Sequence, residues 1–488
     1  MTTLIGAEML LWSDLDATHG PAPAGGAALR CLLPAVSGRT LVAGPHAADL
    51  LDALAAACPE LTVLVRGVPD ASSLTARYAG HPGVTVLCGS LEKLAAVPAY
   101  DTVVALDGLD RLVSAESEDL SWGETLALLA GVLRPSGRLL LAVENMFGLH
   151  RLVSLPASPA DTDWVVAGEH DPSRPASPSR LRSHLASAGL SMVHDHAAYP
   201  GVLAGRAFLD DPGLGGFLAA TLSTAVTATT DVLTDPRRLV TGALRSGLAA
   251  DLAPAWIVLA GKGSAGEPSW PDAVIASASG DVREIRLPAP DLPRGRTLED
   301  LLLAACQRRD LPSVRELLTA WLAGPAAGVP AGQVIVGPCG DHTALAAAVD
   351  PRLALRLFAA EVIRGGHAGL WPAPTTEPEL TALLAGMTGR ELDPADVPAR
   401  PAPSAHDVRS LTVERDRLAK ELAEARAKHE WYESMLRSRE AELKRVRQVN
   451  KVLRATMPGR AATTLYGGLR AGRRAVRNAV RNAKGQDS

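Results

Sequence analysis

A chain of 488 residues is too long for one hydrophobic core, so two or three domains are expected. Hydrophobic residues make up 47% but aromatic ones only 3%, so the cores must rely on Ala, Leu and Val. The net charge of −4 is uneven: residues 451–488 hold nine Lys/Arg and one acid, which leaves an acidic body at −12 and a basic tail that suits an anionic partner of its own.

The N-terminus, "MTTLIGAEMLLWSDLD", has no basic leader and no long apolar run, so neither a signal peptide nor a membrane span is expected. Residues 1–29 read as an N-terminal extension. Five apolar runs follow: "RTLVAG" at 39–44, "LTVLVRG" at 61–67, "GVTVLCGS" at 83–90, "YDTVVALDG" at 100–108 and "GRLLLAVEN" at 137–145. Their β-branched content and lack of alternation suit strands buried on both faces. Helical runs separate them at Ala47–Cys58, Ala71–Tyr78 and Glu124–Leu133. Strand alternating with helix predicts an α/β, Rossmann-like doubly wound sheet, with Thr40–Ala43, Thr62–Val65, Val84–Cys88, Thr102–Ala105 and Leu139–Val143 as parallel neighbours. Ligands of such sheets bind past the C-terminal strand ends.

The Pro- and Ser-rich stretch 145–180 breaks the periodicity and reads equally as a lid or a surface insertion. Residues 266–392 read as a smaller, mainly helical domain: two helices over 295–324 broken at Asp310-Leu311-Pro312, a strand and turn in "GQVIVGPCGDHTAL", and a helix over 351–366. Residues 393–407 form a Pro/Ala linker. The long helix over 408–455 keeps one heptad register. Its a positions are Val408, Arg415, Leu422, His429, Leu436, Leu443 and Asn450; its d positions are Leu411, Leu418, Ala425, Tyr432, Arg439, Val446 and Leu453. That pattern predicts a coiled coil and a homodimer. In the tail, 456–488, Arg473, Arg477, Arg481 and Lys484 lie along one side of a helix. This suits peripheral contact with an anionic membrane; nucleic acid is disfavoured by the acidic body and the absence of a base-reading module.

The five cysteines are odd in number and no two form a CxxC pair. This argues against a disulfide framework and a zinc site, and for a cytoplasmic chain. Arginine outnumbers lysine 42 to 7, which with the Ala, Gly and Pro content reads as high-GC, actinobacterial coding bias.

"ETLALLAGVLRPSGRLLLAVEN" resembles the helix, "L-x-P-G-G" turn and fifth strand of class I S-adenosylmethionine-dependent methyltransferases. "YDTVVALDGLDRL" and "GVTVLCGSLEKL" are similar to their fourth and third strands. "SRLRSHLASAGLSMVHDH" resembles their late helix and following strand, and "AWIVLAGKG" closes a likeness that spans about 30–265. The resemblance implies S-adenosylmethionine as cofactor and methylation of a small-molecule or glycan acceptor. It also implies a cofactor pocket at Gly44, Pro45, His46, Arg66, Gly89, Ser90, Leu91 and Asp107. Three anchors depart from the family: Val42 stands where an acid precedes the glycine loop, Arg66, or Asp70 a turn later, where an acid binds the ribose, and Gly89-Ser90-Leu91 where an acid meets the adenine. Candidate bases for an oxygen acceptor are Asp107, Glu144 and His150.

Plainer roles exist for each. Gly44 could cap a turn, Pro45 could open a helix, Arg66 could pair with Asp70 or Asp49, and Asp107 and Asp110 could cap the next helix. Glu144 and Asn145 could satisfy backbone groups after the fifth strand. The alternative functions are a non-catalytic scaffold assembled through the coiled coil, and a nucleotide-binding oxidoreductase using Arg66 on a 2′-phosphate.

Overall fold

The fold was analysed in a computed structural model, which describes residues 2–17, 20–117, 119–155, 171–228, 230–263, 270–277, 279–371, 376–400, 408–455, 467–468 and 470–474. Residues 1–410 form one compact unit and 411–488 a second.

The first unit is built on a single mixed sheet. Its strands are β1 (Thr2–Gly6), β2 (Arg39–Ala43), β3 (Glu60–Val65), β4 (Val84–Gly89), β5 (Tyr100–Ala105), β6 (Leu133–Glu144), β7 (Ser191–Tyr199), β8 (Val202–Ala204), β9 (Ala255–Gly261), β10 (Ala273–Ala276) and β11 (Val282–Ile285). The order across the sheet is β1-β4-β3-β2-β5-β6-β9-β7-β8-β10-β11. The five runs expected as strands are parallel neighbours, with Thr40 opposite Leu61 and Leu41 opposite Val103. β9 runs antiparallel between β6 and β7. This is the doubly wound, Rossmann-like fold that the alternation predicted.

Helices cover both faces: α1 (Ala27–Arg30), α2 (Ala48–Ala57) and α3 (Val68–Arg77) on one, α4 (Trp122–Val132) and, after α5 (Leu149–Val153), α6 (Pro178–Ser187) on the other. Strand alternation divides the core accordingly. Val42 and Val63 meet Leu50, Leu54 and Leu74, whereas Leu41, Ala43 and Leu64 meet Leu126, Leu129 and Leu181. Helix α4 starts at a capping box in which the Ser121 hydroxyl accepts from the Glu124 N–H at 3.3 Å and Glu124 accepts from the Ser121 N–H at 2.8 Å. Ser121→Ala should therefore lower stability by about 1 kcal/mol, read as an earlier chemical unfolding midpoint; an unmoved midpoint would show that the cap contributes nothing.

The sheet does not stop near residue 265. Strands β10 and β11 extend it beyond β8, so 273–285 belong to the sheet and not to the helical segment. Helices α7 (Arg206–Leu209), α8 (Gly215–Ala225) and α9 (Pro236–Arg245) pack beside this edge. The helical segment follows as α10 (Leu298–Gln307), α11 (Leu311–Ala323), α12 (Pro351–Arg364) and α13 (Glu377–Met387), around buried Trp321 and Phe358. The break falls where expected, with Asp310 capping α11. A small antiparallel sheet of β12 (Arg296–Thr297), β13 (Val334–Val336) and β14 (His342–Ala344) accompanies it. Residues 156–170 of the 145–180 insertion, 401–407 of the linker, and most of the basic tail lie outside the described residues.

The second unit is chiefly α14, which spans Val408–Ala455 as one helix. Among the described residues, no helix is long and apolar enough to cross a membrane.

Candidate functional site

The strand order reverses beside β2, with β3 on one side and β5 on the other, which makes the C-terminal rim here the expected binding place. Gly44 follows β2, and its N–H donates to the Leu64 carbonyl at 3.0 Å. Gly44 has φ +89°, and a Cβ there would lie 3.0 Å from Leu112 Cδ2. Glycine is thus required by the backbone itself, with or without a ligand. Gly44→Val should cost about 1–3 kcal/mol from strain alone. A variant with unchanged thermal stability would overturn that account.

His46 explains why the next loop closes over. Its Nδ1–H donates to the Gly44 carbonyl at 3.0 Å, and its Nε2 accepts the Leu106 N–H at 3.1 Å. The ring therefore ties the turn after β2 to the turn after β5. It is 1% exposed, and burial pushes its pKa down to about 4. Both nitrogens are engaged in this bridge, so the neutral ring is a structural tie. Pro45 does not open α2, which begins at Ala48; its carbonyl instead accepts from the Ala24 N–H at 3.3 Å.

Residues 9–17 and 20–26 run along this rim as a strap. The Met9 N–H donates to the Arg66 carbonyl at 2.9 Å, and the Val68 N–H returns to Met9 at 3.1 Å. The Trp12 carbonyl lies where a Cβ on Gly67 would be, so the strap approaches that backbone closely. Arg66 grips Asp14 through two hydrogen bonds of 2.7 and 2.9 Å and donates to the Val113 carbonyl at 2.9 Å. Its partner is thus neither Asp70 nor Asp49. Asp70, itself buried, accepts from the Ser13 hydroxyl and from the Asp14 N–H at 2.8 Å. Burial works to raise the Asp14 pKa, but the Arg66 guanidinium and the Trp12 indole hold it below the usual carboxylate range.

The end of β4 is equally engaged. The Ser90 N–H donates to the Gly6 carbonyl at 3.1 Å, the Leu91 N–H to the Leu112 carbonyl at 3.0 Å, and the Ser90 hydroxyl accepts the Ser114 N–H at 3.0 Å. Gly44, Pro45, His46, Arg66, Gly89, Ser90 and Leu91 thus share one rim, but none of them lines the cleft beside it.

The open space lies beside them, past β5 and β6: a cleft of 1630 Å³. Its charged lining includes Asp107, Asp110, Arg111, Glu144, Arg151 and Arg174. These are paired. Arg111 binds Asp107 and also the strap, donating to the Pro21 carbonyl at 2.8 Å. Arg174 holds Asp110 with two hydrogen bonds of 2.8 and 2.9 Å. Glu144 accepts from Arg151 at 2.9 Å and from the His150 Nε2–H at 3.2 Å, with Arg174 at 3.6 Å. Asp107 and Asp110 therefore hold arginines and do not cap α4. Asn145 donates to the carbonyls of Asp251 and Ala253, both at 2.8 Å, and so satisfies backbone groups after β6.

The carboxyls differ in proton affinity. Burial raises the Asp107 pKa against the pull of Arg111. Glu144 is drawn down to about 2, chiefly by the His150 hydrogen bond and then by Arg151, with burial opposing. Glu144 is thus a weak base and Asp107 the more basic carboxylate of the two. His150 is not part of the cleft lining; it positions Glu144 from behind. Sequence reading missed Asp14 and Arg174, because their partners lie 52 and 64 residues away and nothing in the local pattern marks them; it also passed over Arg111, although its partner is only four residues away. Among the described residues, no group of three or more His, Cys, Asp or Glu is placed to hold a metal ion.

No protein-family model and no curated protein matches this chain. Solved structures that are similar to it include the CcbJ methyltransferase of Streptomyces caelestis, at 14% identity and TM-score 0.30 over 54% of this chain and 99% of that one. A second is an S-adenosylmethionine-dependent methyltransferase of Mesorhizobium loti, at 16% and 0.27 over 48% and 95%. A third is the 1,6-didemethyltoxoflavin-N1-methyltransferase of Burkholderia thailandensis with bound S-adenosylhomocysteine, at 16% and 0.27 over 49% and 76%.

Proposed function

We propose that this chain is a divergent S-adenosylmethionine-dependent methyltransferase whose small-molecule or glycan acceptor enters the cleft past β5 and β6. The observation that carries the reading is the position of that cleft. It opens next to the place where the strand order of a doubly wound sheet reverses, with Asp107 and Glu144 at adjacent strand ends. The rim as folded does not fit adenosine: Arg66 stands at the ribose position and turns inward to Asp14, and the strap lies across the strand ends. The proposal therefore includes release of the strap before the cofactor binds.

When bound, S-adenosylmethionine supplies an electrophilic methyl and its own leaving group. The chain then has to hold the acceptor in line and exclude water. Asp107 lines the cleft at the end of β5 and is held by Arg111, which has to release it before it can take a proton from a hydroxyl acceptor. His150 and Arg151 keep Glu144 charged, with Arg174 at 3.6 Å.

A second reading, a non-catalytic scaffold on the same fold, is favoured by the buried Asp14–Arg66 pair, which gives the strap a permanent seat. An oxidoreductase is disfavoured, because Arg66 is already satisfied and offers nothing to a 2′-phosphate. The deciding experiment is calorimetric titration of the full chain and of Asp14→Ala with S-adenosylhomocysteine and NADPH. Binding of S-adenosylhomocysteine, tighter in Asp14→Ala, is the expected result. Heat from neither protein would leave the scaffold; heat from NADPH alone would revive the oxidoreductase.

A further inference from the structure

We infer that α14 pairs with α14 of a second copy of this chain, in parallel and in register. Over 48 residues the helix extends about 72 Å. Its seam residues Leu411, Leu418, Leu422, Tyr432, Leu436, Leu443 and Val446 are all exposed, between 48% and 64%. Each is an a or d position of one unbroken heptad register. Off the seam only Trp431, Met435, Val449 and Val452 are large, apolar and exposed among the described side chains. A lone surface helix has no reason to keep most of its large apolar residues on such a seam for five heptads; a two-stranded coil does.

The flanks fix the orientation. In a parallel, in-register pair each g residue faces the e residue of the next heptad across the seam. Glu421 then meets the partner's Arg426, Lys428 meets the partner's Glu433, and Glu442 meets the partner's Arg447. The three other pairs, Glu414 with the partner's Ala419, Met435 with the partner's Glu440 and Val449 with the partner's Arg454, carry at most one charge each. No like charges meet among these flanking pairs. Sliding one strand back by a heptad sets Lys428 against the partner's Arg426 and Glu442 against the partner's Glu440. The same shift, seen from the other strand, sets Glu421 against the partner's Glu433. The antiparallel pairing of full overlap sets Glu421 against the partner's Glu442. In-register parallel pairing is the arrangement among these three without a like-charged flanking pair; on the seam Arg415 and Arg439 then each face their own copy.

The polar seam positions agree. Arg415 at a lies next to the partner's Glu414 at g, and Arg439 at d next to the partner's Glu440 at e, so each seam cation is offered a carboxylate across the interface. Asn450 at a would meet its own copy, the arrangement that favours two strands over larger bundles. In the single helix, Arg417–Glu421 at 3.5 Å and Glu433–Arg437 at 2.8 Å already hold two of the flanking carboxylates beside the seam.

Light scattering and cysteine cross-linking on the full chain test this. The exposed Cys339 is first replaced by serine to remove background. Twice the chain mass in solution is expected. Leu436→Cys and, separately, Leu422→Cys should each give a disulfide-linked dimer as the major product under mild oxidation, because an a residue faces its own copy only in parallel register. The charge reversal Glu421→Lys should weaken dimerisation at least tenfold, and adding Arg426→Glu should restore it. A monomer, a larger oligomer, or a dimer that cross-links at neither position would overturn the inference.

Discussion

Replacing Asp14 with alanine should free the strap and leave the sheet intact. The Asp14–Arg66 pair is largely buried, with side-chain exposures of 4% and 13%. Removing one member of such a pair typically costs about 3–5 kcal/mol, because the remaining charge is stranded. Here the protein has a cheaper escape than global unfolding: the strap can lift and let water reach Arg66. The population with the strap lifted should then rise by roughly 10²–10⁴-fold, since about 1.4 kcal/mol is a factor of ten. Amide exchange reads this directly. The N–H groups of Met9 and Asp14, which donate to Arg66 and Asp70, should lose protection by that factor. Those of Leu41 and Val42 in the central strand should keep theirs. Unchanged exchange at Met9 and Asp14 would show that the pair does not hold the strap.

Acid should loosen the tie that His46 makes. Its folded pKa is about 4 against 6.5 for an unperturbed imidazole. Above pH 6.5 the ring is neutral whether the chain is folded or not, and the shift contributes nothing. Between 6.5 and 4 the unfolded chain takes up the proton and the folded one does not, so stability falls with pH. The loss amounts to about 2.5 kcal/mol by pH 4.5 and about 3 kcal/mol in full. His46→Gln lacks this titration. Its unfolding free energy should start lower at pH 7.5, where a buried hydrogen bond is lost, and then decline less steeply than that of the parent. Parallel declines would mean that His46 is not the group responsible.

The five parallel strands were legible because each is a run of apolar residues bounded by Gly, Pro or charge, and burial on both faces demands such runs. The helices between them, the break at Asp310 and the long heptad helix were legible for equally local reasons. β1 was not. "TTLIG" is five residues with an exposed edge, and only its pairing with β4 makes it a strand. β10 and β11 were lost similarly, because four-residue strands at a sheet edge carry little periodicity. The site was half legible. Asp107 and Glu144 follow strands, and position alone brought them to the rim. Arg66 was visible as a departure, but its partner was not: Asp14 comes from a segment whose own pattern predicts nothing. Long-range ion pairs leave no mark in the sequence near either member.

The strap is fastened at both ends, by β1 in the sheet and by α1 in the core. It therefore cannot diffuse away when it lifts, and it returns to its seat at a rate set by the chain and not by protein concentration. Any molecule that binds beneath it competes with a neighbour of fixed local concentration. Its apparent dissociation constant equals the intrinsic one divided by the fraction of open molecules. Dilution leaves that fraction unchanged, so the same apparent affinity should be measured at nanomolar and micromolar chain. A single backbone cut between residues 9 and 26 would change it, by turning one closed loop into two free arms.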